Sequence, residues 1–349
     1  MARKVSYNRD QIIHFISEHP LCSSQEIMAG LKMQISIATL KRALVDLGGK
    51  GIIIPVGEKK KRRYEISKSY QISIAVDLEK YFQKEIDERV ILKTFNQDLI
   101  RDIFYKISIF SKVELHFLSD LQQTFKSNAM KLSKASFDLE MERLAIDLSW
   151  KSSQIEGNTY SLLETERLIK EKETASGKTR DEATMLLNHK SALDFVISQP
   201  NYLNPLIVSS IEDIHSLLVK DLNISRNIRN NRIGISGTNY TPLDNAFQIR
   251  EALNEMCELI NSKDNVFEKA FLTLILISYI QPFSDGNKRT ARIISNGLLI
   301  SHHYCPISFR TIDSIEYKKA MLVFYEQNNF APFKKIFIDQ FEFAVSTYF

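Results

Sequence analysis

Charged side chains that could bind phosphate are concentrated in one short segment of the 349-residue sequence. In order, the segment contains Asp285, Gly286, Asn287, Lys288, Arg289 and Arg292. Arginines three residues apart share a helix face, where two guanidiniums can bind neighbouring phosphoryl groups. Gly286 permits a sharp turn with backbone N–H groups facing an anion, and Asp285 can hold a Mg²⁺ ion that bridges phosphates. The pattern favours binding of a polyphosphate with Mg²⁺; a solvated basic helix start is the alternative.

The residues on both sides of this segment have the apolar spacing of helices. Residues 270–280 are apolar except for Thr273 and Ser278, and an apolar helical pattern resumes at Ala291. The first run is too short and too interrupted to span a bilayer, which takes about 20 apolar residues. Two helices joined by a turn around Pro282 are therefore predicted to position the charged groups.

Residues 281–292 resemble the signature of the Fic family, because six of its seven fixed positions match: Phe283, Asp285, Gly286, Asn287, Arg289 and Arg292. Fic proteins are helical, bind ATP with Mg²⁺ and mostly transfer AMP to a hydroxyl side chain of a target protein. The resemblance covers about residues 110–349 and implies a mainly α fold, an all-α Fic core with a β-hairpin flap. It also implies that Asp285 binds Mg²⁺ and that the phosphates of ATP contact Gly286, Asn287, Lys288, Arg289 and Arg292.

A second motif lies earlier in the chain, at about residues 147–157. Ser152 and Glu156 are four residues apart and share a helix face. The motif resembles the inhibitory helix of the Fic family, which implies that Glu156 pairs with Arg292 and takes the place of a γ-phosphate. Since both motifs are in one chain, self-inhibition is expected. The alternative is that Glu156 is a surface residue before a Gly-Asn helix stop.

Residues 229–242 combine two glycines with β-branched residues in near-alternation. This pattern predicts a β-hairpin that projects from the helical body, with an ordinary loop as the alternative. By resemblance, the segment is the Fic flap, which docks the side chain of the target. The resemblance further makes Tyr317 a candidate for the adenine pocket and His189 a structural residue.

The sequence departs from the Fic signature at its first position. Gln281 stands where the family has its catalytic histidine, and an amide cannot take a proton from a hydroxyl near pH 7. Three hypotheses remain open. The first is a protein adenylyltransferase that is weak or that uses another group as its general base. The others are a nucleotide-sensing pseudoenzyme that regulates transcription through DNA binding, and another phosphoryl-group chemistry.

Residues 1–68 have a different pattern and a different charge. Three short helices are followed by two strands with a basic turn between them, which resembles a winged helix-turn-helix. Residues 1–70 contain 13 basic and 6 acidic side chains, whereas the rest of the chain has a net charge of −3. Duplex DNA is the predicted partner, and a protein-docking module is the alternative. The candidate contacts are Thr39, Lys41 and Arg42 on the third helix and Lys59, Lys60, Lys61 and Arg62 in the turn.

Residues 69–109 are predicted to be a structured connector between this domain and the Fic domain at residues 110–349. No signal peptide or membrane span is visible in the sequence. Three widely separated cysteines argue against a disulfide framework and against a zinc site, so a reducing cytoplasm is expected. The implied partners are ATP, an unidentified target protein and DNA. The sequence allows a homodimer and does not fix the oligomeric state.

Overall fold

The chain divides into two units, Met1–Ala75 and Val76–Phe349. The computed structural model describes residues 2–31 and 35–349, apart from the side chains of residues 2–8 and of Lys60. The division falls inside the predicted connector, so residues 76–109 belong to the second unit.

Hydroxyl side chains start two helices of the first unit. Ser23 and Glu26 form a reciprocal capping box, and Ser36 accepts a hydrogen bond from the backbone N–H of Thr39 at 3.1 Å. The two strands of this unit pair antiparallel. Its elements are α1 (Ala2–Glu18), α2 (Ser24–Gly30), α3 (Ile37–Gly49), β1 (Ile53–Val56), β2 (Arg63–Ile66) and α4 (Lys68–Gln71).

Apolar residues from the helices and from β1 form the core of the first unit. The buried members include Ile12, Ile16, Ile27, Leu40, Leu44, Leu47 and Ile53. The turn between the strands contains one 3₁₀ turn, Lys59–Lys61. Three helices followed by a hairpin are the elements predicted for this part of the chain.

The second unit is mainly helical. Among the described helices, none is long and apolar enough to cross a membrane. A 3₁₀ turn lies at Ile86–Glu88 and a π-helical turn at Leu99–Ile103. The α-helices are α5 (Leu78–Phe82), α6 (Phe104–Lys106), α7 (Lys112–Ala129), α8 (Lys134–Ile155), α9 (Leu162–Glu171), α10 (Arg180–Ser198), α11 (Val208–Leu218), α12 (Ala246–Ser262), α13 (Val266–Ile280), α14 (Asn287–Ser301), α15 (Ser314–Gln327) and α16 (Ala331–Tyr348).

Helices α13 and α14 form the centre of the second unit. Nearly every residue of α13 is buried, which accounts for the apolar run at residues 270–280. A helix that is apolar on all sides is stable only when neighbours surround it, and α13 packs against α12, α14 and α15. The prediction of two helices joined by a turn around Pro282 is therefore confirmed. The turn, residues 281–286, is held by the core.

The predicted β-hairpin over residues 229–242 is wrong, because this segment contains no strand pair. Its backbone groups bond to other parts of the chain. The N–H of Arg229 donates to the carbonyl of Pro282 at 3.0 Å, and the N–H of Thr241 donates to the carbonyl of Lys93 at 2.9 Å. Both ends of the segment are thus attached to other parts of the second unit, and the middle is irregular. We call residues 229–242 the flap segment.

Candidate functional site

The turn between α13 and α14 has two residues with left-handed backbone angles. Gln281 has φ 52° at the end of α13, and Gly286 has φ 80° directly before α14. A Cβ atom on Gly286 would lie in ordinary van der Waals contact, 3.4 Å from His215 and Val219, so this position favours glycine for its backbone angle.

Asn287 holds the turn closed with its side-chain amide. Its Oδ1 accepts from the N–H of Phe283 at 2.8 Å, and its Nδ2 donates to the carbonyl of Phe283 at 2.8 Å. The same Nδ2 donates to Oε1 of Gln281 at 3.0 Å. Asn287 therefore fixes both the backbone of the turn and the orientation of the Gln281 amide.

His215 on α11 supports the turn from below, a role that the sequence analysis missed. Its ring stacks on Phe283 with centroids 3.6 Å apart, and its Nε2 lies 3.0 Å from the carbonyl oxygen of Asp285. Burial lowers the pKa of His215 to about 4, so the ring is neutral at pH 7 and Nε2–H donates to that carbonyl. No motif links His215 to the signature, because the two lie far apart in the sequence.

Arg289 and Arg292 are both buried at the start of α14, with exposed fractions of 1% and 0%. Arg292 donates to the Oγ and the carbonyl of Ser152, at 2.8 and 2.9 Å. Arg289 donates to Oδ2 of Asp285 at a long 3.3 Å. Within the described residues, Nε and Nη1 of Arg289 and Nη1 of Arg292 have no hydrogen-bond partner. Buried, charged donors without partners are costly, so this is a site that an anion would stabilise.

Glu156 follows the last residue of α8 and lies between two cations of α14. Its Oε1 accepts from Nη2 of Arg292 at 2.8 Å, and its Oε2 is 3.5 Å from Nζ of Lys288. Burial alone would raise the pKa of Glu156, but Arg292 and Lys288 outweigh it and hold the pKa below its usual range. The carboxylate is therefore ionised at neutral pH. The contact with Lys288 was not predicted.

A cavity of about 380 Å³ opens above these groups. Its walls are the turn and first residues of α14, the flap segment at 233–236, and one side of α15. Glu156 and Gln281 also face it. Tyr317, on α15, lies under Arg292, whose guanidinium carbon is 5.3 Å from the ring centroid. Tyr317 thus supports an arginine, and its contact with adenine stays a prediction.

Gln281 is buried, and its amide is fully oriented by its neighbours. Its Nε2 donates to the carbonyl of Ser278 at 2.7 Å and lies 3.4 Å from the hydroxyl of Tyr325. No histidine lines the cavity among the described residues. The structure therefore provides no imidazole base at the position of Gln281.

Asp285 is the acidic residue at the mouth of the turn. Its side chain is 64% exposed, and Oδ1 accepts from the N–H of Gly286 at 2.6 Å. No group of three or more histidine, cysteine or acidic residues that could hold a metal occurs in the described part of the chain. A single carboxylate is still compatible with Mg²⁺, which often takes one or two carboxylates together with substrate phosphates.

Comparison with known proteins identifies this region. Residues 202–299 match the family model described as the Fic/DOC family, and they include α13, the turn and most of α14. This part of the chain is a Fic/DOC domain. The flap segment lies within the matched residues, whereas Ser152 and Glu156 precede them.

The chain is also similar to proteins named protein adenylyltransferase Fic. It is 27% identical over 173 residues to one from Nematostella vectensis, covering 48% of this chain and 40% of that protein. It is 25% identical over 206 residues to one from Aedes aegypti, covering 57% of this chain and 40% of that protein. The matched regions thus span less than half the length of these relatives.

Among solved structures, the fold is similar to Fic-1 (residues 134–508) from C. elegans. The TM-score is 0.60 and the identity 18%, with 72% of this chain and 80% of that chain covered. The mainly helical, Fic-like fold that the sequence predicts is therefore confirmed.

The candidate DNA contacts lie in the first unit. Thr39, Lys41 and Arg42 are exposed on α3, and Thr39 also bonds to the capping Ser36 through its hydroxyl. Lys59, Lys61 and Arg62 are exposed in the turn between β1 and β2. The side chain of Lys60 lies outside the described part of the chain.

Proposed function

We propose that this protein binds ATP with Mg²⁺ in the cavity of its Fic domain and transfers AMP, slowly, to a hydroxyl side chain of a protein. The observation that carries the proposal is the pair of buried arginines, Arg289 and Arg292, with unpartnered N–H donors beside the start of α14. Support also comes from the relatives that are named protein adenylyltransferase Fic.

In this proposal, the first residues of α14 bind the phosphates. The free backbone N–H groups at the start of a helix attract anions, and Gly286 lets a phosphate approach them closely. Arg289 then donates from Nε and Nη1, which have no partner in the described residues. Asp285 and Lys288 lie at the rim of the same cavity. Asp285 would hold Mg²⁺, which offsets the negative charge of the phosphates when it is bound.

AMP transfer requires a hydroxyl oxygen to attack the α-phosphorus while pyrophosphate leaves, and the hydroxyl proton needs an acceptor. Oε1 of Gln281 accepts one hydrogen bond from Asn287 and has a second lone pair that can orient the hydroxyl. It cannot take the proton near pH 7, so the proton would pass to solvent water or to a phosphate oxygen of ATP. Since general-base catalysis contributes about 10²- to 10⁴-fold, transfer is expected to be slow by about that factor.

Glu156 would inhibit this reaction from within the same chain. Its carboxylate accepts a hydrogen bond from Nη2 of Arg292 at 2.8 Å and is also close to Lys288. A γ-phosphate would therefore compete with this carboxylate for the two cations. In this interpretation Ser152 orients Arg292 through the two hydrogen bonds that it accepts.

The position of the radiolabel in ATP tests the proposed reaction. The Glu156→Gly variant is incubated with ATP labelled either at the α- or at the γ-phosphate, and label on protein is measured. AMP transfer attaches only the α-label, and phosphoryl transfer attaches only the γ-label. If ATP binds but neither label is attached, the nucleotide-sensing alternative is favoured. If ATP does not bind, the proposed function is wrong.

For the first unit we propose binding to duplex DNA. The supporting observation is the set of exposed cations on two parts of that unit, Lys41 and Arg42 on α3 and Lys59, Lys61 and Arg62 in the hairpin turn. Such side chains provide phosphate affinity that depends on salt but not on base sequence. A Fic domain without turnover would make this protein a nucleotide-dependent regulator of transcription.

A further inference from the structure

The stretch of chain before the helical bundle of the second unit runs along the flap segment. We call residues 81–96 the clasp. Three hydrogen bonds join the two segments: Arg89 Nη2 to the carbonyl of Gly237 at 2.9 Å, Asn239 Nδ2 to Oδ1 of Asp87 at 3.0 Å, and the N–H of Thr241 to the carbonyl of Lys93 at 2.9 Å. Thr94 and Thr241 also form an isolated parallel bridge. The clasp therefore bonds to two backbone groups of the flap segment, the carbonyl of Gly237 and the N–H of Thr241, that a hairpin would have paired within itself.

Among the basic residues of the clasp that the structure describes, Arg89 alone has a buried side chain. Its Nη1 donates to both oxygens of Glu326, at 3.0 and 3.2 Å, and its Nη2 donates to Gly237. Glu326 is fully buried on α15 and also accepts from the hydroxyl of Tyr81 at 2.6 Å. Because a guanidinium is planar and rigid, its two ends fix α15 and the flap segment relative to each other.

Both partners of Arg89 belong to elements that line the cavity. The flap segment contributes residues 233–236 to one wall, and α15 contributes Tyr317, Met321 and Tyr325 to another. Gly237 approaches α15 closely, since a Cβ atom added to it would lie 3.4 Å from Cδ1 of Leu322. Arg89 does not line the cavity, but it bonds to one residue in each of the two elements that form these walls.

We propose that Arg89 is a positioning residue that holds the flap segment over the nucleotide cavity. The clasp would then be a working part of the site, although it lies outside residues 202–299 that match the Fic/DOC family. The claim that Arg89 positions the flap segment rests on the geometry alone. The claim that this positioning supports nucleotide binding rests also on the proposed function.

The test uses the full chain and a double variant, Arg89→Met with Glu326→Gln. This change removes both buried charges together, so neither is left unpaired, and replacing a buried ion pair in this way is often close to neutral for stability. The matched control is Tyr81→Phe, which removes one hydrogen bond to Glu326 without a contact to the flap segment. Trypsin cleavage after Arg232, an exposed residue of the flap segment, is followed under native conditions. ADP affinity is measured by calorimetry.

Cleavage after Arg232 should be at least about tenfold faster in the double variant, as expected when a charge-assisted hydrogen bond is removed. ADP should bind about three- to tenfold more weakly by the same argument. The thermal unfolding midpoint of the double variant should stay close to that of the wild type. In the Tyr81→Phe protein, the rate of cleavage after Arg232 and the affinity for ADP should stay close to the wild-type values. Should the double variant not fold, Arg89→Lys keeps a cation opposite Glu326 but loses the fork that reaches Gly237, and the same faster cleavage is expected.

Unchanged cleavage in a folded variant would overturn the proposal. Faster cleavage with unchanged ADP affinity would overturn its second half, because the clasp would then hold the flap segment without serving the site. Failure of the wild type to bind ADP contradicts the proposed function instead, and the cleavage rates alone then decide whether Arg89 positions the flap segment.

Discussion

The carboxylate of Glu156 lies 2.8 Å from the guanidinium of Arg292, although 136 residues separate them in sequence. Arg292 is fully buried, so it needs an anion or strong acceptors at this place. Ser152 supplies two acceptors and Glu156 supplies the negative charge. A ligand phosphate that bonds to Nη2 of Arg292 must therefore replace Glu156, whereas Nη1 has no partner within the described residues.

Removing the charge of Glu156 should favour ATP over ADP. In Glu156→Gln the amide keeps the size of the side chain but no longer competes with a γ-phosphate for Arg292 and Lys288. ATP affinity is expected to rise at least about tenfold, close to the strength of one hydrogen bond to a charged group, whereas ADP affinity should change less than about threefold. Isothermal titration calorimetry with both nucleotides measures this. Equal gains for ATP and ADP would contradict the location of the γ-phosphate.

Arg289 should contribute to the binding of both nucleotides. Arg289→Ala removes two unpartnered donors and is expected to weaken ATP and ADP binding by more than about 1.5 kcal/mol, the low end for hydrogen bonds to charged groups. Arg250→Ala is the control, because Arg250 is exposed and pairs with Glu212 away from the cavity. Equal ADP affinity in the Arg289 and Arg250 variants would show that the phosphates bind elsewhere.

Glu156 and Gln281 should be coupled in the transfer reaction. Gln281→His restores a base but leaves Glu156 on Arg292, and Glu156→Gly frees Arg292 but leaves the hydroxyl unactivated. Only the double variant restores both, so its auto-labelling by ATP should exceed the product of the single effects. Strong labelling by Glu156→Gly alone would mean that another group serves as base. No labelling by the double variant, with ATP binding intact, would favour the sensor hypothesis.

Local sequence was sufficient to predict the parts of the site that lie close together in the chain. Gly286, the two arginines and the apolar runs on either side define α13, the turn and α14 without any distant contact. The pairing of Glu156 with Arg292 was reached only through the resemblance, because no local pattern links residues so far apart. The hairpin prediction failed since Lys93 and Pro282, which take the backbone bonds of the flap segment, lie outside that segment.

His189 gives the protein a pH-dependent stability. Its ring is fully buried next to Ser149, and burial, with Arg292 and Arg289 nearby, lowers its pKa well below 6.5. The unfolded chain therefore binds a proton below about pH 6.5 that the folded chain does not, and stability falls as the pH decreases from there. His215 acts in the same direction. In His189→Asn, urea unfolding between pH 7 and 5 should show a shallower loss of stability than wild type. An unchanged slope would contradict the neutral state of His189.

Binding of DNA by the first unit should depend steeply on salt. In the full chain, changing Lys59, Lys60, Lys61 and Arg62 to glutamine should flatten the plot of log affinity against log salt by roughly 0.9 for each phosphate that the variant no longer neutralises. The matched control changes four exposed lysines of the second unit, Lys84, Lys106, Lys131 and Lys134, which alters net charge equally. Fluorescence anisotropy with a labelled duplex measures both slopes. If the control flattens the slope as much as the hairpin variant, the affinity comes from net charge, and no binding at low salt would leave the first unit as a protein-docking module.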